Sequence, residues 1–140
     1  MIRWLERYNY ISLAIAILIA ITIFYFSSTQ SGGVASSVSF PLKSVIYHIG
    51  IFFLLCLFLM IAMSKGKSTD WMFFAIILSF FYGLTDELHQ FFVPGRHTAL
   101  RDVLYNTVGI VFASLTYYTS LAWRKNKILF SKYPKLQNPS

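Results

Sequence analysis

Residues 71–92 read WMFFAIILSFFYGLTDELHQFF, an uncharged run that closes on two adjacent acids, Asp86 and Glu87. Its length matches the roughly 20 residues an α-helix needs to cross the hydrocarbon core of a bilayer. Three further stretches have the same character. Tyr10–Phe26 is Ile-rich and uncharged. Ser44–Met63 carries His48 near its start, besides the weakly acidic Tyr47 and Cys56, and Val103–Trp123 carries one amide, Asn106, near its beginning. The remainder consists of connections at 27–43, 64–70 and 93–102 and a basic tail, 124–140. Nothing repeats internally and no linker separates a second domain. Residues 1–140 therefore read as one unit: an all-α, integral membrane four-helix bundle.

The composition agrees. Of 140 residues, 56% are hydrophobic, 19% aromatic and only 12% charged, where a soluble domain carries about a quarter. Mean hydropathy is +0.60. This apolar content excludes disorder, and a lone cysteine, Cys56, excludes a disulfide scaffold. A net charge of +7 would suit a nucleic-acid binder, but not at this hydropathy, so no nucleic-acid partner is expected. Arg3 and Arg7 ahead of an apolar core also fit a cleaved signal peptide. That core is long for one, however, and bulky Phe24, Tyr25 and Phe26 stand where small residues are usual. A retained anchor is expected.

Basic residues flanking the spans set the orientation. In a four-span thread, Arg3, Arg7, Lys65, Lys67 and the tail's Arg124, Lys125, Lys127, Lys132 and Lys135 share one side. Only Lys43, Arg96 and Arg101 fall on the other. Both termini are therefore expected to be cytoplasmic, in a multi-pass protein of the cell membrane. The tail reads as a stop-transfer flank, drawn to the anionic leaflet at about 1 kcal/mol per basic residue. Trp71 and Trp123 read as interfacial anchors on that same boundary.

So threaded, the polar residues of the spans gather near the outer face. His48 is the fifth residue of its span, Asp86, Glu87 and Gln90 occupy the last two turns of theirs, and Asp102 and Asn106 open the fourth. At 1.5 Å per residue, each falls within about 10 Å of its helix end. On the third helix, Gly83, Asp86, Glu87 and Gln90 share one arc of about 100°, with Gly83 leaving room for a helix or a ligand. On the fourth, Asp102, Asn106, Gly109 and Ala113 form a stripe whose small members permit close helix approach. An ionised carboxylate is unfavourable by about 2.5–3.5 kcal/mol at the bilayer centre. One acid alone, Asp86 or Glu87, is explained by pairing with Arg96 to staple the outer loop. A histidine, three acids, two amides and flanking Arg and Lys at one level point instead to a functional site.

Other residues carry blander readings. His89 and His97 read as interfacial side chains and Cys56 as packing. Ser27, Ser28, Thr29 and Gln30 either donate to a ligand or satisfy their own helix terminus, and both alternatives stay open. Pro94-Gly95 forces a turn that would hold Arg96 over the cavity mouth. There is no Gly-rich phosphate loop, HExxH pair or Cys cluster. A Ser-His-acid triad drawn from Ser27 or Ser44 is one of many such drawings that the serine content allows.

The run Asp86-Glu87-Leu88-His89-Gln90-Phe91-Phe92-Val93-Pro94-Gly95-Arg96, then Asp102-Val103-Leu104-Tyr105-Asn106 and Gly109, resembles the signature of VanZ-like membrane proteins. Lys43 and His48, in Leu42-Lys43-Ser44-Val45-Ile46-Tyr47-His48, are similar to that family's upstream element, and Ser27–Gln30 to its first-loop end. The resemblance covers roughly residues 25–115. Leu42 departs from it, since an Asp often precedes the lysine. The resemblance implies a protein of the kind named for low-level resistance to teicoplanin, whose target is an outward-facing cell-wall precursor. It also implies likeness, in this polar core, to membrane enzymes proposed to act on lipid head groups, among them phosphatidylserine synthases of the base-exchange type.

The expected activity is hydrolysis or exchange of a phosphate-linked head group, on a phospholipid or polyprenyl-linked lipid, at the outer leaflet. Arg96 suits bidentate contact with phosphate, and Lys43 adds a second positive charge. His48 is the expected general base. Asp86, Glu87 and Asp102 complete the catalytic set: Glu87 and Asp102 orient His48, act as acid or base, or hold a divalent cation with Asp86, to which the amides of Gln90 and Asn106 also offer oxygens. Gln90 and Asn106 join Lys43 and Arg96 as substrate-binding residues. Membrane lipids and a lipid-linked substrate are the expected partners, and the oligomeric state is not legible. Two other classes compete. A non-catalytic module would capture a lipid-linked precursor or antibiotic in the same cup. A transporter would use the acids as a proton relay, although no charge marks the inner half of any span.

Overall fold

A computed structural model describes residues 2–29, 41–94 and 100–132. Among them every element is a helix: α1 (Ile2–Arg7), α2 (Asn9–Ser28), α3 (Pro41–Ser64), α4 (Thr69–Phe91) and α5 (Leu100–Lys132). The buried residues of α2, namely Ser12, Ala16, Ile23 and Ser27, recur at spacings of four and seven, which is one helix face. Bulky Ile17, Leu18, Ile21 and Phe24 point outward. Small side chains inward and large apolar ones outward suit a helix that packs in lipid, where no water drives the large ones inside. Phe73, Phe81, Phe91 and Leu104 are likewise exposed. Thr22, Ser79, Thr107, Ser114 and Thr116 turn their hydroxyls back onto the carbonyl four residues earlier, which keeps those protons satisfied in an apolar surround.

Among the described residues, three helices are long and apolar enough to cross a membrane: Asn9–Ser28, Leu42–Ser64 and Thr69–Phe91. The expected fourth span, 103–123, lies inside α5 but is less apolar, diluted by Asn106 and by the hydroxyl residues between Ser114 and Ser120. By length and apolarity, then, three spans are found rather than four. α5 also overruns the expected boundary. The first part of the tail is helical as far as Lys132, since neither Gly nor Pro interrupts 124–132.

α3 packs on every other helix, and α4 touches α2 and α5, which lie on opposite sides of the α3–α4 pair. Phe52, Cys56 and Met60, four apart on α3, are fully buried at the centre, Cys56 as plain packing. α5 approaches α3 closely because of Gly109: a Cβ there would overlap the Ile49 carbonyl oxygen and stand 3.0 Å from the Phe53 nitrogen. Ala113, one turn on, is fully buried, as the small-residue stripe predicts.

One end of the bundle is tied by a network that the apolar pattern does not foreshadow. Glu6 of α1 accepts both guanidinium nitrogens of Arg124, at 2.6 and 2.7 Å, and the Tyr117 hydroxyl at 2.8 Å. Tyr117 in turn accepts from Ser64 at 2.7 Å, at the C-terminus of α3. Burial raises the Glu6 carboxyl, but the bonds from Arg124 and Tyr117 and the charges of Arg124 and Arg3 outweigh it and hold the group below its ordinary 4.5. Gly66, in the α3–α4 turn with φ +71°, packs on the same carboxylate, 2.7 Å from where its Cβ would stand.

Candidate functional site

The opposite end gathers the polar residues. α2 ends there, α3 begins, α4 ends and α5 begins, so four antiparallel turns meet at one level. Asp86 and Glu87 are neighbours in sequence, yet a helix turns 100° between them, and they face different partners. Asp86 looks toward α2. The Ser27 hydroxyl donates to its Oδ1 at 2.5 Å, and the Gln90 amide donates to its Oδ2 at 3.0 Å. Gln90 also donates to Ser27 Oγ at 2.9 Å, closing a triangle. All three side chains are buried. Each bond satisfies a group that would be costly to desolvate alone.

Glu87 looks the other way. Its carboxylate, the imidazole of His48 and the carboxylate of Asp102 each offer a ligand atom within 4.8 Å of the others. His48 Nδ1 lies 2.9 Å from Asn106 Oδ1. A carbonyl oxygen only accepts, so Nδ1 carries the proton of this bond and Nε2 is the nitrogen left to face other groups. The Asn106 Nδ2, fully buried, has no hydrogen-bond partner among the described residues. Asp102 is accompanied by Arg101 at 3.9 Å, whose side chain is 72% exposed.

A cavity of about 290 Å³ opens beside the first group. Ser27, Lys43, Tyr47, His48, Asp86 and Gln90 supply its polar lining, and Ile23 and Phe26 its apolar wall. His48 thus belongs to both clusters, as the one residue between the Asp86 side and the Glu87 side.

Most of the expected site residues come together. His48, Asp86, Glu87, Gln90 and Asn106 are buried at one end, Asp102 is at the edge, and Lys43 is exposed on the cavity rim. Of the three acids, Glu87 and Asp102 lie with His48, whereas Asp86 is turned to Ser27 and Gln90. Nor does Gly83 leave room for a ligand, because the Phe52 ring, 3.1 Å from where its Cβ would stand, and Asn106 occupy that space. Arg96, His97 and Gln30 lie outside the described residues. Ser27, left open between two roles, is committed to Asp86. His89 is more than an interfacial side chain, stacking on Phe24 at 4.7 Å and meeting Ser28 Oγ at 2.9 Å. Tyr47 and Ser44 also line the cavity; the sequence pattern marked them only as a weak acid and as one of many triad serines, although their positions one residue and about one turn before His48 place them beside it.

Apolar helices turned inside out, with a cluster of buried ionisable groups at one end, define a helical membrane protein with a polar end-cavity. A family model described as VanZ/LLP1 matches residues 12–123. The chain belongs to the VanZ/LLP1 family. No curated protein and no solved structure matches it.

Proposed function

We propose that this protein is a multi-pass enzyme of the cell membrane that hydrolyses or exchanges the phosphate-linked head group of a phospholipid or polyprenyl-linked lipid at the outer leaflet. The observation that carries the proposal is the cavity beside His48, where an imidazole, a lysine and one buried acid, Asp86, share a space bounded by apolar Ile23 and Phe26. At about 290 Å³ it lies at the small end of ligand pockets, near 300 Å³. That volume suits a head group whose tails stay in the bilayer. α5 supplies the fourth span in this reading, and the Glu6–Arg124 end, rich in lysine and arginine, faces the cytoplasm.

Lys43 and Arg96 neutralise the phosphate, which is the main demand of phosphoryl transfer. His48, with its Nδ1 proton held by Asn106, presents Nε2 as the base that activates water or an incoming alcohol. Ser27, Asp86 and Gln90 form a rigid wall that orients the head group. A substrate on a polyprenyl phosphate would connect the chain to cell-envelope metabolism and to the teicoplanin resistance associated with VanZ.

The test is lipid mass spectrometry on liposomes of mixed phospholipids and polyprenyl-linked lipids containing the purified protein or its His48→Gln variant. New head-group products that require His48 are expected, with a loss of about 10²–10⁴-fold in the variant, the usual contribution of a general base. An unchanged lipid profile, with folded protein that retains one lipid tightly, would replace the enzyme by a binding module for a lipid-linked precursor or antibiotic.

A further inference from the structure

We infer that His48, Glu87 and Asp102 form a three-ligand site for a first-row divalent transition ion, Zn²⁺ or Mn²⁺. The three side chains come from three successive helices, α3, α4 and α5, and converge within 4.8 Å. Metal–ligand bonds of about 2.0–2.2 Å at tetrahedral angles place two donors on one ion about 3.3–3.6 Å apart, so side-chain shifts of about 1 Å close the set. Gly109 sets this convergence, since it lets α5 lie against the α3 backbone at Ile49, one residue from His48.

Two independent observations point to an ion. The first is the imidazole. Metal-bound histidines donate their other ring proton to a carbonyl or carboxylate, which fixes the tautomer and aims the free nitrogen. His48 does this to Asn106 at 2.9 Å, and Asn106 is itself buried with Nδ2 unpartnered among the described residues, so it is held there for its Oδ1 contact. The second is charge. Asp102 lies at the end of a helical bundle whose sides are apolar, and its companion Arg101 is 3.9 Å away and largely exposed, a weak form of compensation that a divalent cation would strengthen.

The donor set selects the ion. One imidazole nitrogen with two carboxylate oxygens suits Zn²⁺ or Mn²⁺, whereas Mg²⁺ and Ca²⁺ favour all-oxygen shells. Three protein ligands leave a position open for water or a phosphate oxygen, on the face toward the cavity that His48 also lines. The inference rests on the head-group reading and changes one role in it: with Nε2 on the ion, His48 is a ligand rather than the free base. A water held by the ion would be the nucleophile beside the phosphate it polarises; the site is read by metal content rather than turnover.

Protein purified in detergent and stripped with chelator is dialysed against Zn²⁺, Mn²⁺, Mg²⁺ or Ca²⁺, and bound metal is measured. About one Zn²⁺ or Mn²⁺ per chain is expected. His48→Gln, Glu87→Gln and Asp102→Asn should each weaken binding by about tenfold or more, and Asp86→Asn should not. No ion above the detergent blank, or equal loss in Asp86→Asn, would overturn the site. Co²⁺ loaded into the unaltered protein guards against variants that misfold: the strong visible absorption of a low-coordinate site, displaced by Zn²⁺, is expected, and a weak hexa-aqua spectrum would count against it. Lipid turnover at full rate after chelation would overturn the metal and leave the proposed activity standing. Stoichiometric metal without any lipid product would do the reverse.

Discussion

His48 sits between two acids that are adjacent in sequence but opposite in role, and each neighbour limits what it can do. Asn106 Oδ1 accepts the hydrogen bond from His48 Nδ1, so the chemistry of the imidazole runs through Nε2. Asp86 is fixed in place by the bonds from Ser27 and Gln90. Ser27 is therefore the residue whose loss separates positioning from chemistry. Ser27→Ala strips Asp86 Oδ1 of its donor, and a buried acceptor left unmade costs about 1–3 kcal/mol. Thermal unfolding in detergent should register that loss, and lipid turnover should fall while bound metal stays at wild-type level. Ser27→Thr, which keeps the hydroxyl, should recover most of both. A Ser27→Ala protein as stable and as active as the parent would show that the triangle is incidental.

Helix approach decides whether the clusters form at all. The α3–α5 contact at Gly109 meets backbone atoms, Ile49 O and Phe53 N, which cannot rotate away as a side chain would. Gly109→Val should push α5 outward, cost at least the 1–3 kcal/mol typical of overpacking, and reduce both metal binding and turnover. Gly50→Ala, with nothing within 4 Å of the added carbon, should be tolerated on the same helix pair. Equal behaviour of the two variants would contradict the close-packed seam. Sequence periodicity announced this seam, because Gly109 and Ala113 fall on the face of Asp102 and Asn106. It announced the level of the site too, because apolar runs interrupted by ionisable groups fix the helix depth at which those groups sit. Rotation within the level was not legible: whether Asp86 or Glu87 joins His48 depends on how α4 is turned against α2 and α5, and a 100° arc covers both. The Glu6 clamp was hidden for another reason. Its partners lie 111 and 118 residues away along the chain, and a single acid near an N-terminus has no periodic partner to reveal it.

At the scale of the whole molecule, the two ends of the bundle are chemically opposite. Arg3, Arg7, Lys65, Lys67, Arg124, Lys125 and Lys127 surround the Glu6 clamp, and Trp4, Trp71 and Trp123 are exposed near it. Such a belt of indoles and cations would suit the cytoplasmic interface in the proposed orientation. The site end carries Lys43 and Arg101 among its described residues and three acids. An outward-facing head-group site therefore requires that the clamp end stay inside. Lys67→Cys and Arg101→Cys place thiols at exposed positions on opposite ends, while native Cys56 is fully buried and stays silent in the folded protein. An impermeant maleimide applied to sealed cells should label Arg101→Cys and spare Lys67→Cys until the membrane is opened. The reverse pattern would turn the site toward the cytoplasm, leaving the cavity and its chemistry intact but removing the outer leaflet as its substrate pool. Labelling of both positions in sealed cells would mean that the chain does not hold one orientation, and positive charge at the clamp end would then be serving some end other than topology.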